Sequence, residues 1–175
     1  MREAPRLVAL SLGSNLGDRR SHLRRALRRL DEVLEDTRLS SLWETEAVEV
    51  DEKQNPYLNL CLSGSCRLTA RELLEYCKGL EVEAGRRPGG HRLPRELDVD
   101  LLFLDQERHR DKTLSLPHPG LPGRRFVLAP LAEILPDWRH PELGLTVREL
   151  LSNVGEDQAV RRLETGKDGW DYHGE

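Results

Sequence analysis

The chain has 175 residues, 33% of them charged and only 5% aromatic, so one domain with a core built mainly of Leu, Val and Ala is expected. A formal net charge of −4 argues against a general nucleic-acid binder, and no run approaches the ~20 apolar residues of a membrane span. The apolar stretch from Leu7 to Leu12 is too short for a secretory signal, and the three cysteines, Cys61, Cys66 and Cys77, lack zinc spacing; a cytoplasmic protein with reduced packing thiols is expected.

Arg6 to Leu12 predicts a buried first strand, ending at the turn Gly13-Ser14-Asn15-Leu16-Gly17-Asp18, where Asp18 can cap the next helix. Such a turn can cradle phosphate, but without a Walker lysine or a G-x-G-x-x-G pattern the structural reading is preferred. Leu23, Ala26, Leu27, Leu30, Val33 and Leu34 recur at helical spacing and predict an amphipathic helix over residues ~19–35. Its arginines alternate with Asp31, Glu32 and Glu35, which reads as a solvated face rather than an RNA or lipid contact.

Leu39 to Thr45 predicts a strand, followed by the acidic loop Glu46 to Glu52. In the next strand Leu58, Leu60 and Leu62 face one side, and Tyr57, Asn59 and Cys61 the other. A ring and an amide two residues apart can stack on and hydrogen-bond a flat heterocycle, although an ordinary strand start accounts for both on local grounds. Thr69-Ala70-Arg71-Glu72 is a capping box opening a helix with Leu73, Cys77, Leu80 and Ala84 inward, which Gly85 ends. Glu81 and Glu83 stand in its last turn against the helix dipole, a cost that suggests a task for at least one.

From Gly85 to Arg95 the chain carries four arginines, three glycines and two prolines, then runs into Leu97-Asp98-Val99-Asp100-Leu101-Leu102-Phe103. Period-two alternation predicts a strand with Leu97, Val99, Leu101 and Phe103 on one face and Asp98 and Asp100 on the other, their Cα atoms ~6.6 Å apart. Two carboxylates on one face can hold Mg²⁺, and Arg95 is placed to fork onto phosphate oxygens, so the glycine-arginine loop reads as a lid over polyphosphate. Asp-x-Asp can equally be the wet face of an antiparallel sheet; the apolar run after Asp100 favours carboxylates that need partners. A short strand near Lys112 to Leu116, a rigid segment Pro117 to Phe126, a helix through Leu131 and Ile134, and a second capping box from Thr146 to Glu149 follow. The order β-α-β-β-α-β predicts an α+β fold: a ferredoxin-like sandwich with a mainly antiparallel sheet, helices packed on it, a hairpin extension, and right-handed crossovers between any parallel neighbours.

Several stretches together resemble the 6-hydroxymethyl-7,8-dihydropterin pyrophosphokinase family of folate biosynthesis, over roughly residues 6–140. They are Pro94-Arg95-Glu96-Leu97-Asp98-Val99-Asp100-Leu101-Leu102, Gly13 to Asp18, Glu44-Thr45, Tyr57-Leu58-Asn59, Pro117-His118-Pro119 and Arg124-Arg125-Phe126. The resemblance implies transfer of the β,γ-pyrophosphoryl group of ATP to the pterin hydroxymethyl oxygen, with release of AMP. It implies Arg86, Arg95, Asp98 and Asp100 as the catalytic set, with Asp98 and Asp100 holding two Mg²⁺ ions. Glu81, Arg86, Arg95, Leu101, His118 and Arg124 would hold ATP. The pterin would stack between Tyr57 and Phe126, with Asn59 and Asp98 on its polar edge and the backbone at Thr45 and Val48 closing the pocket.

The pattern departs from the family where Arg92-Leu93 replaces a frequent Trp-Gly, and where Ala47 and Glu49 replace a frequent proline and glycine. One domain over residues 1–165, a polar tail over 166–175, a monomer, and no linked dihydropteroate synthase or aldolase domain are expected. An RNA-binding sandwich would need aromatic platforms that this chain does not offer. A sugar-nucleotide transferase built on the Asp-x-Asp would need neither His118 nor the Tyr57/Phe126 pair, and an inactive pterin-binding relative would not need the intact acid pair.

Overall fold

The computed structural model describes residues 3–46, 54–86 and 93–163. Val48 and the loop residues 87–92 therefore lie outside the described residues, as does the tail from 164 onward.

The elements are β1 (Arg6–Ser14), α1 (Arg19–Leu30), β2 (Leu34–Leu39), β3 (Trp43–Thr45), β4 (Tyr57–Cys66), α2 (Ala70–Glu83), β5 (Asp98–Leu104), β6 (His109–Arg110), β7 (Ser115–Leu116), α3 (Arg125–Ile134), α4 (Val147–Asn153) and β8 (Val160–Arg162). The main sheet runs β5-β1-β4-β3-β8, with β2 also on β4, and every pairing is antiparallel. Each β-α-β unit skips one strand, so β1 and β2 enclose β4, and β4 and β5 enclose β1. The expectation for parallel neighbours therefore has nothing to act on among the described strands. The ferredoxin-like α+β fold is otherwise the one expected, and β6 and β7 pair as the small hairpin extension.

Burial on both faces explains the sequence pattern. Leu10, Leu12, Leu58, Leu60, Leu62, Val99 and Leu101 pack beneath α1 and α2 with Leu23, Leu27, Leu30, Leu73 and Leu80. Each such leucine contributes about 1.5–3 kcal/mol by leaving water. Ala9, Cys61, Leu102 and Phe103 pack on the opposite face beneath α3 and α4, where the Phe103 ring stacks on Trp138 at 3.7 Å. Both helix starts are capped as the sequence predicts: Asp18 accepts from the Ser21 amide, and Thr69 and Glu72 form a reciprocal box.

Three expectations need correction. The first helix ends at Leu30 rather than near residue 35, because Leu34 and Glu35 are taken up by pairing with Cys66 and Ser65. The single strand expected from Leu39 to Thr45 is two strands, β2 and β3, hung on opposite ends of the ten-residue β4. The alternation of β5 breaks where a bulge opposite Ala9 and Leu10 leaves Leu102 unpaired. Phe103 consequently joins Leu102 under α3 instead of sharing the Leu101 face.

Candidate active site

Strand pairing assembles the site from three neighbouring strands. Gly13 on β1 pairs with Asn59 on one side and Asp98 on the other; two residues back, Ser11 pairs with Cys61 and Asp100. Asn59, Asp98 and Asp100 therefore share the face on which α3 lies. The Cys61 thiol meets the Val127 carbonyl at 3.5 Å, anchoring the first turn of α3 two residues along β4 from Asn59.

The two aspartates sit in a ring of basic groups. Arg95 donates through Nη1 to Asp98 Oδ1 at 3.0 Å. His118 Nε2 lies 3.9 Å from Asp100 Oδ1, and Arg124 Nη1 lies 3.9 Å from Asp100 Oδ2. Burial, and then the adjacent Asp98 charge, push the Asp100 carboxyl up to about 6. Two neighbouring carboxylates on one face are a donor set that suits a hard divalent cation completed by water and phosphate oxygens. Among the described residues no group of three or more His, Cys, Asp or Glu side chains is arranged as a metal cage.

His118 is held in a defined orientation. Its amide donates to the Leu102 carbonyl at 2.7 Å, and its Nδ1 accepts from the Gly120 amide at 3.0 Å. Burial, and then the nearby Arg124 charge, lower the ring to about 4, so it is neutral at pH 7 with its proton on Nε2, facing the acid pair.

Glu81 is buried at the end of α2, where its carboxylate accepts from Arg86 Nη1 at 2.6 Å and from the Val99 amide at 3.4 Å. Burial and the Asp98 charge push it up to about 7. The unfavourable position read from the helix dipole thus has a tertiary cause: Glu81 ties the end of α2 to β5 and holds Arg86. Glu83, its partner in that reading, pairs with Arg29 at 3.3 Å.

On the other side of Gly13 lies the aromatic and amide pair. A Cβ at Gly13 would meet Asn59 Oδ1 at 2.9 Å and Tyr57 Cδ1 at 3.3 Å, so the glycine leaves both side chains room beside the acid pair. Asn59 donates through Nδ2 to Thr45 Oγ1 at 2.8 Å, which fixes its amide and leaves Oδ1 toward β1. Burial, and then the Asp98 charge, raise the Tyr57 hydroxyl above its ordinary range. Phe126 stands in the first turn of α3, with the Arg124 guanidinium 5.8 Å from its ring centre.

Of the residues expected at the site, Arg95, Asp98, Asp100, His118 and Arg124 come together directly. Arg86 reaches the group through Glu81, and Thr45, Tyr57 and Asn59 form one contiguous patch across Gly13. Leu101 borders the site by its backbone. Its side chain is buried in the core beneath α1 and α2, because strand alternation turns it away from the aspartates, so only its main chain borders the site.

Asn15 carries more than the structural turn expected of it. It is buried, its Oδ1 accepts from the Arg95 amide at 2.7 Å, its Nδ2 donates to Gln54 Oε1 at 2.9 Å, and its own amide donates to the Arg95 carbonyl at 3.0 Å. One side chain thus sets the backbone of the arginine that faces Asp98. The sequence signal was an asparagine closing a buried strand, which local rules read only as a turn former.

Comparisons with known proteins agree with this geometry. Residues 9–136 match the family model for 7,8-dihydro-6-hydroxymethylpterin-pyrophosphokinase (HPPK). The chain is 41% identical over 134 residues to the 2-amino-4-hydroxy-6-hydroxymethyldihydropteridine pyrophosphokinase of Aquifex aeolicus, covering 77% of this chain and 83% of that protein. It is 39% identical over 130 residues to the Bacillus subtilis protein of the same name, covering 73% of this chain and 77% of that one. Among solved structures, Plasmodium falciparum HPPK-DHPS A437G with SDX-DHP shares the fold at a TM-score of 0.68 and 15% identity, over 86% of this chain and 45% of that one. The chain thus spans less than half of that Plasmodium protein and most of the two bacterial ones. It belongs to the 7,8-dihydro-6-hydroxymethylpterin-pyrophosphokinase family, whose members carry out the pyrophosphokinase step of folate synthesis.

Proposed function

We propose that this chain transfers the β,γ-pyrophosphoryl group of ATP to the hydroxymethyl oxygen of 6-hydroxymethyl-7,8-dihydropterin and releases AMP. The observation that carries this reading is the row Asn59–Gly13–Asp98, which sets a patch suited to a flat heterocycle directly beside an acid pair ringed by cations. A flat acceptor and a polyphosphate donor can thereby meet on one face without a domain movement.

In this reading Tyr57 and Phe126 stack on the pterin, and Asn59 and Thr45 hydrogen-bond its edge. Arg95, Arg124 and Arg86 bind phosphate oxygens, and the His118 Nε2–H donates to one of them without adding a further positive charge. The main chain at Leu101 borders the nucleotide. Asp98 and Asp100 would hold Mg²⁺, which when bound would screen the phosphate charge and acidify the hydroxyl. The residues' task is chiefly positioning and charge compensation, since phosphoryl-group transfer needs little covalent help from a protein. We infer a single catalytic domain over residues 1–165, acting as a cytoplasmic monomer; no helix among the described residues is long and apolar enough to cross a membrane.

The test is AMP release from ATP with and without the pterin, and with and without Mg²⁺. AMP dependent on both supports the reading. ADP as the product, or AMP indifferent to the pterin, overturns it.

A further inference from the structure

The segment after residue 136 lies beyond the matched family region, yet it reaches back to the site. β8 pairs with β3, Val160 opposite Thr45 and Arg162 opposite Trp43. Arg161 donates to Glu44 at 2.9 Å, and the Leu163 amide donates to the Leu42 carbonyl at 2.9 Å. Two residues before β8, Gln158 uses both ends of its amide. Its Oε1 accepts from the Arg125 amide at 3.0 Å, and its Nε2 donates to the Gly123 carbonyl at 3.0 Å.

Those two bonds fall on the residues immediately before and after Arg124. Arg124 is the N-cap of α3 and makes no side-chain cap of its own, so the first turn has an orphan donor that Gln158 satisfies from 33 residues away. The far end of α3 is tied to the same two strands, because Glu133 accepts from Trp43 Nε1 of β3 at 2.6 Å and lies 3.5 Å from Arg162 Nη2 of β8. β3, α3 and β8 thus close into one frame, with Arg124 at the corner where Gln158 clasps it.

We propose that Gln158 is a positioning residue that holds the backbone of Arg124 on both sides, so that its guanidinium faces Asp100 and the Phe126 ring. The inference rests on the reading of Arg124 as a phosphate ligand. Gln158 is exposed, so removing its amide leaves both cores intact and the effect is confined to where Arg124 points.

The experiment is a double-mutant cycle on AMP release, with Gln158→Ala and Arg124→Ala alone and combined. Q158A is expected to lower kcat/KM for ATP roughly three- to tenfold, as for one or two net hydrogen bonds, with little change in thermal midpoint. In the R124A background the same change should cost almost nothing, since the group it positions is gone. Gln158→Glu keeps the acceptor for the Arg125 amide and should recover part of the loss. Losses that multiply in the double variant, or an unchanged kcat/KM in Q158A, would overturn the inference while leaving the functional reading standing. A folded wild type that releases no pterin-dependent AMP would overturn the functional reading and this inference with it.

Discussion

Gly13 passes so close to Asn59 that a Cβ at position 13 would lie 2.9 Å from the amide oxygen. Asn59 cannot swing aside cheaply, because its nitrogen is committed to Thr45 Oγ1 at 2.8 Å. Gly13→Ala is therefore expected to push Asn59 and Tyr57 out of line and raise KM for the pterin by roughly ten- to a hundredfold. KM for ATP should change far less, and circular dichroism should stay that of the wild type. Equal rises for the two substrates would show that Gly13 does not separate a pterin side from a phosphate side.

Asp98→Ala and Asp100→Ala should each reduce turnover by more than about a hundredfold, since even outer-shell partners of metal ligands cost that much. Neither should destabilise the protein markedly: burial, and then the adjacent Asp98 charge, raise the Asp100 carboxyl, so the charged pair is not a source of stability. Turnover and thermal midpoint measured on one preparation check both halves. Near-native turnover in either variant would remove that carboxylate from the metal assignment.

Asn15→Ala removes, from a buried position, the acceptor of the Arg95 amide and the donor to Gln54 Oε1, which should cost about 1–3 kcal/mol in urea unfolding. It also frees the backbone beside Asp98, so a fall in kcat/KM should accompany the loss of stability. Asn15→Asp keeps the acceptor for Arg95 and should lose less of both. A variant as stable as the wild type would mean that the tie between β1 and the Pro94-Arg95 segment carries no net energy.

The thiols offer a check of the fold itself. All three cysteines are buried and unpaired, and burial pushes the Cys77 thiol up to about 12 and raises Cys61 and Cys66 as well. A disulfide exchange reagent at pH 8 should find no reactive thiol in the native protein and three in guanidinium. Rapid labelling of the native state would show that one of the two sheet faces opens readily.

Much of the candidate site was legible in the chain because its residues announce themselves by local spacing. Asp98 and Asp100 stand two apart on a strand, as do Tyr57 and Asn59, and period-two alternation alone puts each pair on one face. The capping signals of Asp18 and Thr69, and the leucine patterns of β4 and α2, likewise depend on neighbours a few residues away.

What sequence spacing could not decide was which strand neighbours which, and where the alternation fails. Only pairing across the sheet puts Gly13 between Asn59 and Asp98 and turns a strand glycine into the gap between the amide and the acid pair. Only the bulge opposite Ala9 and Leu10 sends Phe103 to α3, and only the competing pull of β4 ends the first helix at Leu30. Asn15 on Arg95 and Gln158 around Arg124 are contacts between distant segments. Local propensity registers each of them as a turn former or a surface group, because the partner that gives it a task arrives only when the chain has folded.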